Sequence, residues 1–92
     1  MESLLNKNVI ITTSFRGVYY GRLVRKRGNE CLLADARMVI YWGTSNGVDQ
    51  LAATGPTDRT KAGAKVPLVR LFGLTSIALA TGDAEAAWAA RK

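Results

Sequence analysis

Hydrophobic positions in this chain fall into short runs divided by glycine and polar clusters, the spacing of a small β-rich domain. Val9 to Thr13 is β-branched throughout and predicts a first strand. Phe15-Arg16-Gly17 reads as a turn. Residues 18–25 read as a second strand, in which Gly21 marks a bulge or a close backbone approach. Along that strand Tyr20, Arg22 and Val24 share one face, and Tyr19, Leu23 and Arg25 the other. Gly28-Asn29 then supplies the chemistry of a hairpin turn. A third strand starts at Glu30, bends at Asp35 and runs on to Trp42. In its second half Met38, Ile40 and Trp42 alternate against Arg37, Val39 and Tyr41, and the first set is read as facing the core.

Asn46 predicts the N-cap of a short helix over 47–54, stopped by Gly55-Pro56. Residues 57–65 are polar and read as the least structured part of the chain. Strands follow over 66–71 and 75–80, with Pro67 placing the first of them at an edge or at its own beginning. Thr81 caps a last helix. Asp83 and Glu85 lie in its first turn, Arg91 and Lys92 in its last, and Trp88 is the large apolar residue that docks it on the sheet. Five strands and two helices predict one α+β domain over residues 1–92, built on a small curved antiparallel sheet or an SH3-like barrel.

Composition narrows the chemistry. A chain of 92 residues buries only about 60–65% of its unfolded surface, so gaining stability through homo-oligomerisation is expected. Thirteen basic residues against seven acidic ones leave a net charge of +6, which favours nucleic acid, nucleotides or anionic surfaces. Histidine is absent. That removes imidazole bases, His-based triads and Cys/His zinc sites, and no metal or other cofactor is expected. The single cysteine, Cys31, sits in an apolar run and reads as a buried inert thiol. The acidic residues are scattered, with no pair spaced for acid–base work, so no catalytic residues and no enzyme activity are expected. No segment has the length of a signal peptide's apolar core or of a membrane span, so a soluble intracellular protein without a membrane partner is expected.

The local excess of charge lies between Arg16 and Gly43. There Arg16, Arg22, Arg25, Lys26, Arg27 and Arg37 face only Glu30 and Asp35, beside Tyr19, Tyr20, Tyr41 and Trp42. Arginines pair with phosphates and aromatic rings stack on bases. Trp42 is read as core and Tyr41, on the Arg37 face, as a contact. Gly43 to Gly47 leads into a helix start whose free N–H groups attract anions, which adds Asn46; a plain cap and turn is the simpler reading of that segment. The ligand-binding candidates are therefore Arg16, Tyr19, Arg22, Arg37, Tyr41 and Asn46. The cluster Arg25-Lys26-Arg27 reads as general charge, Arg59, Lys61 and Lys65 as a solvated basic loop, and Arg70 as an outward strand residue or a buried contact.

The segments RGVYYGRL, LLADARMVIYWG, DQLAATG and SIALATGDAEAAW resemble a family of small phage and prophage proteins. That family carries R-S-A-G-V-x-x-G-x-L, then N-A-R-R-x-W-Y-W, then S-L-x-x-L-A. The resemblance spans roughly residues 12 to 88. It matches at Arg16, Gly17, Val18, Gly21, Leu23, Ala36, Arg37, Tyr41, Trp42, Leu51, Ala52 and Thr81. Met38 and Val39 depart from it, so an arginine pair is not carried over. The resemblance implies a phage origin and no established enzyme activity, and the host cytoplasm is the expected location. The expected function is a non-enzymatic, homo-oligomeric anti-defence sponge that sequesters an anionic nucleotide-type ligand. A virion or host-protein-binding accessory protein and a nucleic-acid-binding protein are the alternatives.

Overall fold

The fold is organised around β1 (Asn8–Thr13), seen in a computed structural model that describes residues 4–14, 17–43 and 47–91. Val9 and Ile11 point to one side of this strand and Ile10 to the other, and all three are fully buried. Only a strand covered on both faces accommodates such an uninterrupted β-branched run. β2 (Val18–Arg27) flanks it on one side and β6 (Leu74–Leu79) on the other. β3 (Glu30–Tyr41) continues beyond β2; β5 (Val66–Phe72) pairs with its first half and β4 (Lys61–Ala62) with its end. All the pairings are antiparallel, in the order β4-β3-β2-β1-β6 with β5 also on β3.

The expected α+β class with a small antiparallel sheet is the fold. It has six strands rather than five, and the sheet does not close into a barrel: β5 and β6 follow one another across Gly73 but pair with different strands. Irregularities in the ladder bend the sheet. The register against β3 shifts between Tyr20 and Arg22 and again between Leu23 and Arg25, and Asp35 holds a left-handed φ of 51°. Gly21 is both things the sequence allowed. It lies at a register shift, and a Cβ there would stand 2.7 Å from Leu33 Cγ and 3.0 Å from the Ala34 carbonyl oxygen.

Two apolar clusters lie on opposite faces. One joins Val9, Ile11, Leu23, Leu33 and Leu71 inside the curve, with Cys31 among them. Burial pushes the Cys31 thiol up, partly offset by Lys26, so it stays protonated and inert. The other cluster lies under α1 (Gln50–Ala53) and α2 (Gly82–Ala90), and contains Ile10, Val39, Leu51 and Trp88. A one-turn helix has four carbonyls without internal partners, and here each is taken. Gln50 O accepts from Thr54 N, Leu51 O from Trp88 Nε1, Ala52 O from Thr81 N, and Ala53 O from Thr81 Oγ1. Thr81 Oγ1 also accepts from Ala84 N, the expected cap of α2. Trp88 docks as expected, stacked on Tyr20 with centroids 4.5 Å apart.

Four expectations are corrected. The first helix is shorter than 47–54 and has Asp49 at its N-cap position, without a side-chain cap bond; Asn46 lies outside the described residues. In the second half of β3 the faces are reversed: Arg37 and Val39 are buried, and Met38, Ile40 and Trp42 are exposed. The helices cover the Val39 side, and the Met38 side lies beyond the inner apolar cluster. Residues 57–65 are tied down rather than loose. Thr60 is buried and donates to the Trp42 carbonyl, Thr57 N donates to Thr60 Oγ1, and Arg91 donates to the carbonyls of Thr57 and Thr60. Arg91 is thus a clamp at the C-cap of α2 and not a last-turn dipole partner.

Candidate anion-binding face

Cross-strand pairing decides which side chains share a face, and it corrects the second strand. The register shift at Val24 brings Arg25 to the Arg22 side: Arg22 pairs with Ala34 and Arg25 with Leu32, two residues apart on β3. β5 continues the same rows. Arg27, Glu30 and Phe72 form one, Arg25, Leu32 and Arg70 the next, and Arg22, Ala34 and Leu68 the third. The face is the one opposite the Leu23–Leu33–Leu71 cluster. The helices lie over its other end, on Ile10, Tyr20 and Val39, which leaves these three rows exposed apart from half-buried Arg22 and their buried and half-buried β3 positions.

Arg25, Arg27 and Arg70 line one shallow depression of about 130 Å³, with Glu30, Cys31 and Leu32. Their side chains form no ion pair or hydrogen bond with other described residues. This set holds one carboxylate for three guanidinium groups, which makes it an electropositive surface.

Of the six residues expected to bind ligand, the four that are described do not converge. Arg16 and Asn46 lie outside the described residues. Tyr19 is half-buried against the inner apolar cluster. Arg22 sits in the third row and pairs with Asp35 at 3.9 Å, both partly open to solvent, where such a pair contributes little. Arg37 is only 6% exposed. Its Nε donates to the Gly63 carbonyl at 3.0 Å and its Nη1 to the Arg91 carbonyl at 3.1 Å, which makes it a strut between β3, the 57–65 segment and the C-terminus. Tyr41 is exposed, paired with Lys61 at the far end of β3. Sequence reasoning missed the convergent set. A strict alternation separated Arg25 from Arg22, and Arg70 is placed only once β5 is known to pair with β3.

A second concavity, about 520 Å³, runs between α2 and the sheet. Tyr20, Arg37, Lys65 and Trp88 line it together with two carboxylates, Asp35 and Glu85. Glu85 Oε2 accepts from Asn8 Nδ2. Burial, and then the Glu85 charge, push the Tyr20 phenol up to about 12. The mixed charge makes this groove a weaker anion site than the arginine face. Among the described residues there is no group of three potential metal ligands and no helix long and apolar enough to cross a membrane.

A family model described as a domain of unknown function, DUF6948, matches residues 6–88. The chain belongs to the DUF6948 family. The span matched to DUF6948 takes in all six strands, and with them Arg25, Arg27 and Arg70. No curated protein and no solved structure matches the chain.

Proposed function

We propose that this DUF6948 protein is a non-enzymatic binding protein whose ligand is a chain of phosphates, held on the face formed by Arg25, Arg27 and Arg70. The observation that carries this reading is the convergence on one exposed depression of three guanidinium groups from two strands, none of them paired with another described residue. Guanidinium groups match phosphate oxygens in charge and in fork geometry. Pockets that enclose small ligands measure about 300–1,000 Å³, and the depression over the arginines is near 130 Å³. An open basic surface of that size favours an extended polyanion over a single sequestered nucleotide. The resemblance to phage and prophage proteins supports reading this activity as one exercised in an infected host cell. Fluorescence anisotropy with labelled oligonucleotides, beside a panel of cyclic and ADP-ribose-type nucleotides, tests it. Oligonucleotides bind and the Arg25→Ala/Arg27→Ala/Arg70→Ala variant binds them more weakly; equal affinity of variant and wild type refutes the assignment.

A second reading, self-association, is favoured by a separate patch. Met38, Ile40 and Trp42 alternate along the end of β3 on the side away from the helices and are exposed, Ile40 to 64%. Patches of this kind mark protein interfaces more often than solvent. In this reading wild-type mass in solution exceeds that of one chain and Ile40→Lys lowers it; a wild-type monomer removes it.

A further inference from the structure

We infer that the arginine face is a platform for single-stranded nucleic acid, with the phosphodiester chain running along β2 and a base stacked on Phe72. This rests on the reading of the face as a phosphate site and adds the class of polyanion. The order of groups across the rows carries it. Arg22, Arg25 and Arg27 form a column along β2, one residue per row, roughly 15 Å long at the rise of a β-strand. Leu68, Arg70 and Phe72 form a parallel column along β5, about 10 Å away across two inter-strand spacings.

The end row reads Arg27, Glu30, Phe72 from β2 to β5. A nucleotide laid across it meets a cation, then a carboxylate, then a ring. The cation suits its phosphate. The carboxylate repels phosphate but accepts hydrogen bonds from base N–H groups, thymine N3–H among them, so it orients the base and not the backbone over β3. The ring is a stacking surface. Phe72 is 55% exposed although its neighbour Leu71 is buried, and it stands at the edge of the charged surface. The half-buried Leu32, one row on and diagonal to it on β3, adds apolar surface beside it. A duplex keeps its base faces inside and offers Phe72 nothing to stack on. An unpaired strand does, and every base presents such a face.

Three labelled probes separate the claims: a short oligothymidylate, an abasic strand of equal length and a duplex of equal phosphate number, titrated in about 50 mM salt, where phosphate contacts are strong. The oligothymidylate binds the wild-type chain more tightly than the abasic strand or the duplex. Phe72→Ala weakens oligothymidylate binding by about 5- to 150-fold, the range of one lost base–aromatic stack. It leaves abasic binding unchanged, and Phe72→Tyr restores the loss, which keeps the result independent of any folding defect. Equal binding of the abasic and base-bearing strands, or an unaffected Phe72→Ala, overturns the single-strand assignment alone if the arginines are still required. No binding of any probe overturns this inference and the phosphate reading together.

Discussion

Replacing Trp88 tests how the helices are fixed to the sheet. Its indole is buried, stacks on Tyr20 with an interplanar angle of 7°, and donates at 3.1 Å to the Leu51 carbonyl. Trp88→Phe keeps an aromatic ring but removes the N–H. Leu51 is itself fully buried, so its carbonyl loses that donor where little water can replace it, at a cost of about 1–3 kcal/mol. Trp88→Ala also removes the stacked surface and opens a cavity, for about 3–5 kcal/mol in all. A chain of this length is stable by roughly 5–14 kcal/mol, so the alanine variant is close to unfolded at the lower end. Urea denaturation followed by circular dichroism reads both variants, and each kcal/mol lowers the melting temperature by about 4–8 °C in a domain of this size. A Trp88→Phe variant within about 0.5 kcal/mol of wild type, the ordinary range for a surface substitution, refutes the claim that this bond holds α1 in place.

Tyr20 gives a pH test. The folded state favours its neutral phenol, with a pKa near 12 against the ordinary 10. The stability this confers is full below pH 10 and is lost as pH rises toward 12. Wild-type stability measured across that window falls more steeply than that of Tyr20→Phe; parallel curves contradict the burial of the hydroxyl. Gly21→Ala places a methyl group against Leu33, which is fully buried. A loss of about 1–3 kcal/mol by denaturant melting is expected from overpacking, and an unchanged midpoint shows that β2 and β3 are further apart than described.

Much of the fold was legible from local chemistry. The β-branched run of β1, the Gly28-Asn29 turn, the bend at Asp35 and the Thr81 cap each carry their signal within a few residues. What failed depends on distant parts of the chain. The inward side of the end of β3 is set by where the helices land, so Val39 is buried and the larger Ile40 is not. Threonine-rich 57–65 looked solvated because its partners, the Trp42 carbonyl and Arg91, lie 18 and 31 residues from Thr60. The candidate site followed the same rule. Basic charge in the hairpin was plain from the sequence, but a single extra residue at Val24 changes which arginines share a face. Arg70 joins them only through the pairing of β5 with β3.

The salt dependence of oligonucleotide binding tests the central claim most directly. Each phosphate contact on a single strand contributes about 0.7 to the slope of log affinity against log salt. If Arg25, Arg27 and Arg70 each hold one phosphate, the Arg25→Ala/Arg27→Ala/Arg70→Ala variant shows a slope shallower than wild type by about 2. A variant with the wild-type slope contradicts the account, because the three arginines would then hold no phosphate.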